Sequence, residues 1–153
     1  MSFAAVEAAL IARLKAKVQT PGLVRAVLSA ADLAGVKEQS QTTPALHVVL
    51  LHFKVADSTS DGVTALVVQT WLIVAAVHNA VSGRGAGAAT ARAREDAGAL
   101  LDAIAPALLG WRPLVGGCGP LRMVDPPQPN VGDGYAYYPM AFAVDSVFKG
   151  DTA

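Results

Sequence analysis

The chain has 153 residues, of which 53% are hydrophobic and 16% are charged. Its twelve basic and twelve acidic side chains balance, which excludes the net positive charge that attracts nucleic acid or an anionic membrane. The single cysteine, Cys118, excludes an internal disulfide. This length predicts one domain over residues 1–153, and the apolar excess predicts that part of the surface is buried against another subunit.

The first half of the chain predicts one helix and three strands. Hydrophobic residues recur at helical spacing over residues 3–18, which predicts an amphipathic helix that ends at Pro21-Gly22. Residues 23–29 are predicted to form a short strand, followed by one turn of helix and a polar connector. Residues 45–54 and 64–78 are predicted strands, and the polar link between them favours a long β-hairpin.

The second half predicts one helix and two strands. A Gly/Ala-rich link, predicted to be flexible, leads to a helix over about residues 90–105, where Pro106 kinks or ends it. Strands at 120–125 and 135–148 follow, joined by a Pro/Gly-rich turn. In this helix, small residues are expected to allow close approach to the sheet and apolar residues to enter the core: Ala97, Gly98 and Ala99, then Leu100, Leu101, Ile104 and Leu108.

The order α-β-β-β-α-β-β predicts an α/β (α+β) fold, with a mixed or antiparallel sheet flanked by two main helices. The uncharged run from Gly62 to Gly83 is long enough to raise the question of a membrane span. It is interrupted by polar residues and is rich in Val and Thr, so a strand is the better interpretation. No signal peptide is expected, because Glu7 interrupts the first apolar run.

The two hairpin strands are apolar on both faces, so both faces need cover. Either the domain covers them itself or a partner subunit does. A hairpin this long favours contact between subunits, with the polar links at 57–62 and 82–89 mobile until they meet a partner. The candidate partner contacts are Asp57, Asp61, Val67, Trp71, Val74, Arg84, Gly85, Arg92 and Tyr137.

No residues have the spacing of a catalytic, cofactor or metal site. The glycines of Gly83–Ala88 superficially match a dinucleotide loop, but the strands before it favour an antiparallel hairpin, and Asp102 lies in mid-helix, where it cannot hold a ribose. His47 and His52 point to opposite faces of a strand. Cys118 has no nearby histidine or second cysteine in the sequence. The pattern therefore favours a structural protein over an enzyme.

Several segments together resemble a known family. In chain order they are VRAVLSAADLAGV, TPALHVV, VQTWLIVAAVHN, EDAGALLDAI, LLGWRPL, PLRMVD and YAYYPMAF. Over about residues 5–148, the chain is similar to the small tail terminator (tail completion) proteins of Mu-like and lambda-like phages and prophages. The match is a series of apolar segments with a Trp-Arg-Pro turn and an aromatic last strand, without a catalytic signature.

The resemblance implies a homo-oligomer, a hexameric ring that caps the tail tube and stops its polymerisation. The implied partners are the tail tube protein and the head–neck connector, with DNA passing through the lumen without specific binding and no membrane contact. The implied location is the virion tail, assembled in the cytoplasm of the bacterial host. Two alternatives remain open: a head–tail connector or neck protein of a phage or tailocin, and a small nucleotide-binding enzyme that uses Gly83–Ala88.

Overall fold

The computed structural model describes residues 3–34, 41–79, 86–132 and 134–151. The helices are α1 (Phe3–Leu14), continued by a π turn at Lys15–Gln19, then α2 (Ala30–Leu33) and α3 (Ala86–Leu108). The strands are β1 (Ala26–Ser29), β2 (Ala45–Ser58), β3 (Thr64–His78), β4 (Arg122–Val124), β5 (Asn130–Gly132) and β6 (Tyr135–Lys149).

The strands form one mixed sheet in the order β1-β2-β3-β6-β4, with β5 also paired to β6. β1 runs parallel to β2, and every other pairing is antiparallel. The long strand β3 lies at the centre and pairs over most of its length with β2 on one side and β6 on the other. This arrangement confirms the predicted α+β fold class and the predicted hairpin between β2 and β3.

Two helical segments cover one face of this sheet. From α1 into the π turn, Val6, Leu10, Leu14 and Val18 recur every fourth residue and are completely buried. This spacing keeps the four side chains on one side of the helix, as the sequence predicts. Ala97, Leu100, Ile104 and Leu108 of α3 enter the same hydrophobic core.

The face of α3 differs in detail from the prediction. Leu101 is only partly buried and packs at the margin of the core, and Ala99 is exposed. A Cβ atom added at Gly98 would meet no atom within 4 Å, so the expected close approach at this glycine is wrong. α3 also continues through Pro106 to Leu108 instead of ending near residue 105. Gly110, with φ 72°, follows the end of α3 in the left-handed conformation that glycine favours.

Several strands also differ from the predicted boundaries: β2 continues to Ser58, four residues past its predicted end, and β4 covers only Arg122–Val124 of the predicted 120–125. β1 begins at Ala26, three residues later than predicted. β5 lies in the segment predicted to be only a turn, where Val131 pairs with Ala136 of β6. Three residues are too few to show a hydrophobic period, which is why the sequence does not reveal this strand.

Candidate assembly surface

The far half of the β2–β3 hairpin extends beyond the core. All residues from Leu51 to Gly62 are exposed, and we call residues 51–66 the distal hairpin. Four large apolar side chains in it retain much of their surface: Leu51 is 42% exposed, Phe53 53%, Val55 63% and Leu66 37%. Exposed apolar side chains grouped in this way are typical of a surface that another protein covers.

The outer edge of β2 is also unpaired along this half. β1 pairs only with residues 45–48 of β2, and no other described strand pairs with that edge from Val49 to Ser58. Its backbone N–H and C=O groups can therefore accept a further strand or a polar partner.

Two bulges in β2 decide which side chains share a face. The register with β3 shifts between Leu50 and His52 and again between Val55 and Asp57. Because of the first shift, Phe53 pairs with Gln69 and Val55 pairs with Val67, on the face that the helices cover nearer the base. The ring of Phe3, at the start of α1, lies 5.1 Å from the ring of Phe53. Val55 lies farther along the strand and remains exposed.

The tip of the hairpin is a hydrogen-bonded turn. The carboxylate of Asp61 accepts hydrogen bonds from the Thr59 hydroxyl at 2.6 Å and from the Val63 N–H at 3.1 Å. These two bonds hold the pKa of Asp61 below its usual value. Asp57 accepts a bond from the Ser58 N–H at 2.8 Å. These hydrogen bonds close the turn in the segment for which the sequence predicts a mobile link, and that mobility stays a prediction.

Two of the predicted contact residues belong to the interior of the subunit. Trp71 is 2% exposed and Val67 6%. The Trp71 indole N–H donates to the Gln69 side-chain oxygen at 2.9 Å, and the Gln69 amide donates to the Ser146 hydroxyl at 3.1 Å. Ser146 in turn donates to the Val67 carbonyl at 2.9 Å. Their prediction as partner contacts is wrong for this conformation, because the helix-covered face already buries both side chains.

The comparison with known proteins identifies the family. A family model described as phage tail terminator protein matches residues 1–152, essentially the whole chain. The chain belongs to the phage tail terminator family. A search of the curated proteins gives no match. As a member of this family, the protein is a structural component of the phage tail and associates with other tail components.

The remaining predicted contact residues of this tail terminator lie on several surfaces. Asp57 and Asp61 lie at the exposed hairpin tip, and Arg92 is exposed on α3. Val74 and Tyr137 are half-buried on the sheet face opposite the helices, and the Tyr137 hydroxyl accepts a hydrogen bond from Gln41 at 2.6 Å. Arg84 and Gly85 lie outside the described residues. The sheet therefore does not gather the predicted residues into one patch.

The groups that could carry chemistry are scattered in the same way. His47 is buried, and burial lowers its pKa. His52 and His78 are exposed. Cys118 is buried in the loop after α3, and burial raises the pKa of its thiol, which disfavours the reactive thiolate. Within the described ranges, no three His, Cys, Asp or Glu side chains lie close enough to hold a metal ion.

Two further sequence-based expectations concern segments of this terminator. Of the Gly83–Ala88 loop, Ala86 to Ala88 form the first turn of α3, and the preceding glycines lie outside the described residues. Gly62–Gly83 contains β3 rather than a helix. Among the described residues, no helix is both long enough and apolar enough to cross a membrane.

Proposed function

We propose that this terminator-family subunit forms a hexameric ring that caps the tail tube, stops the addition of tube protein and offers its other side to the head–neck connector. The distal hairpin is the observation that carries the proposal. It presents Phe53 and Val55 on the helix-covered face of the sheet, Leu51 and Leu66 on the opposite face, and an unpaired strand edge along β2. A monomeric protein would leave this apolar surface exposed to water, whereas a subunit of a ring buries part of each lateral surface against its neighbours.

The exposed area is sufficient to matter energetically. Complete burial of a Val, Leu or Phe side chain contributes about 1.5–3 kcal/mol. Leu51, Phe53, Val55 and Leu66 each keep roughly a third to two-thirds of their surface, so each can still contribute about 1 kcal/mol at an interface. The same contact repeats around a ring, so a modest gain per interface stabilises the closed assembly.

In this proposal the polar groups contact the axial partners. Asp57 and Asp61 at the tip, together with Arg84, Gly85 and Arg92, are the proposed contacts with the tube protein or the connector. DNA passes through the lumen without specific binding, in keeping with a formal net charge of zero. Assembly takes place in the host cytoplasm before the tail joins the head.

Val55→Asp is the most direct test of the ring. Val55 is 63% exposed, so a charge there is tolerated in the free subunit but is costly where an interface closes over it. We expect the variant to remain folded, with its thermal midpoint near that of the wild type, and to lose the ring in sedimentation and negative-stain images. Val55→Thr, which keeps the shape and adds no charge, is the matched control and should retain the ring.

The capping role is tested by the growth of the tail tube. Added to polymerising tail tube protein, the wild-type protein should arrest tube growth, and Val55→Asp should not. In complemented phage, the same variant should give tails of irregular length. Tails of normal and uniform length from a strictly monomeric variant would contradict the proposal. A wild-type ring that leaves tube growth unchanged would instead favour a connector or neck protein.

A further inference from the structure

A cleft opens between α3 and the segments that lead into the first two strands. Its volume is about 400 Å³, and its walls include Leu23, Pro44, Val77, Ala99 and Leu100. An apolar cavity of about 150 Å³ already holds a benzene molecule, so this cleft has room for an aliphatic side chain. The exposed residue Asp96 adds a carboxylate to its lining.

The most exposed large apolar side chain among the described residues lies elsewhere. Leu114, in the loop between α3 and β4, is 99% exposed. Two hydrogen bonds tie the start and the end of this loop: the Trp111 N–H donates to the Leu108 carbonyl at 3.1 Å, and the Leu121 N–H donates to the Trp111 carbonyl at 2.9 Å. Next to Leu114, Pro113 is buried.

A contact with α1 fixes the base of the same loop. The Arg13 guanidinium lies over the Trp111 ring, 5.5 Å from its centroid, and donates to the Ala107 carbonyl at 2.9 Å. Leu114 is therefore an exposed leucine in a loop whose base packs against α1. Its apolar surface is available to a partner.

The loop that carries Leu114 lies toward the β4 edge of the sheet, and the cleft lies toward the β1 edge. The loop returns along the outer edge of β6, on the same side as β4, where the Gly119 N–H donates to the Asp145 carbonyl at 2.9 Å. The cleft lies on the other side, where the Arg25 N–H donates to the Pro44 carbonyl at 2.8 Å at the start of β1 and β2. A subunit cannot fill its own cleft, but two copies placed head to tail can join these two surfaces.

The charges beside the two surfaces are complementary. Arg112 is exposed two residues before Leu114, whereas the cleft carries Asp96. We propose that Leu114 of one subunit inserts into the cleft of the next copy, with Arg112 facing Asp96 of the partner subunit. This contact rests on the proposed ring and adds a second pair of surfaces, besides the distal hairpin, to the interface between neighbouring subunits.

Two single variants test the contact from its two sides. Leu114→Asp removes the apolar anchor, and Ala99→Phe fills the cleft from an exposed position of α3. Because both sites face solvent in the free subunit, both variants should keep the wild-type circular dichroism spectrum and thermal midpoint. Each should weaken subunit association by at least about tenfold and appear as a monomer in sedimentation at concentrations where the wild type forms rings.

Mixing the two variants gives a sharper result. Leu114→Asp keeps an intact cleft and Ala99→Phe keeps an intact leucine, so an equal mixture has one competent contact. We expect a dimer that does not grow further. Charge reversal is a second experiment. Arg112→Asp and Asp96→Arg should each weaken the ring, and the variant that carries both should restore association to within about threefold of the wild type.

The outcomes separate this contact from the ring itself. If Leu114→Asp and Ala99→Phe still form rings as the wild type does, this contact is overturned and the ring proposal stands. A mixture that stays monomeric, while the wild type forms rings, would also overturn it. A wild-type protein that stays monomeric even with tail tube protein present would overturn both proposals.

Discussion

The base and the distal half of the same hairpin differ in what covers them. At the base, Leu46 and Val48 of β2 pair with Ala75 and Ile73 of β3, and all four side chains are completely buried under the helices. In the distal half, Phe53 and Val55 lie on the same face of the sheet but are more than half exposed. Phe53 and Val55 are as apolar as Leu46 and Val48, so the hydrophobicity of these side chains does not account for the difference.

The difference depends on where the helices end. The ring of Phe3 contacts Phe53 on one strand and Phe148 on another, at 5.1 and 5.4 Å. α1 begins at this residue, and the described helices cover little of the sheet beyond it. An apolar strand thus serves as core at one end and as a surface for assembly at the other. The comparison predicts different effects for substitutions in the two halves.

The largest expected effect is at the base. Trp71→Ala removes a buried ring and leaves the Gln69 side-chain oxygen without its donor, so the free energy of unfolding should fall by about 3–5 kcal/mol. Phe53→Ala in the distal half, where the ring is 53% exposed, should cost about 1 kcal/mol or less. Urea denaturation of the two variants measures both values. Equal losses would mean that the two halves do not differ in burial.

A smaller effect is the pH dependence of the free energy of unfolding, which we expect from His47 at the base of the hairpin, on the sheet face opposite the helices. His47 is 7% exposed beside Leu28 and Val74, its Nε2 has no hydrogen-bond partner in the described part of the chain, and burial lowers its pKa from 6.5. Below about pH 6.5 the unfolded chain binds the proton more readily, so stability should decline as the pH falls toward the lowered pKa. Well above pH 6.5, His47 should add no pH dependence to the free energy of unfolding.

The control for His47 uses the exposed histidine of the distal half. His47→Gln should flatten the decline in unfolding free energy between about pH 7.5 and 5, whereas His52→Gln, the same substitution at an exposed position, should leave the unfolding free energy at neutral pH near that of the wild type. An identical pH dependence in His47→Gln and the wild type would contradict the assignment.

The smallest expected effect is at the hairpin tip. Asp61→Ala removes the carboxylate that accepts from Thr59 and Val63, so the Val63 amide should exchange with solvent faster while the thermal midpoint stays the same. Because the pKa of Asp61 is lowered, the two bonds should persist from neutral pH to below the ordinary carboxyl pKa of 3.8 and disappear as the pH falls through the lowered value. Amide exchange and a carboxyl NMR titration check both points. Unchanged exchange at Val63 would show that the tip does not need this side chain.

The sequence by itself determined the local pattern. The four-residue recurrence of Val6, Leu10, Leu14 and Val18 predicted the buried side of α1, and the richness of residues 64–78 in Val and Thr predicted β3 with its observed bounds. These features depend on helical spacing and on the strand preference of individual residues, which act without reference to the rest of the chain. The order of long elements and the resemblance to the family followed from the same local segments.

Only the tertiary structure decided which apolar residues are core and which are surface. Both faces of β3 are apolar in the sequence, and the helices cover only one, so Trp71 and Val67 moved from predicted contacts to the interior. The bulges of β2, the parallel pairing of β1 and the exposed Leu114 carried no local signal. Each depends on contacts between segments far apart in the chain, because burial is decided by what packs against a side chain and not by its own hydrophobicity.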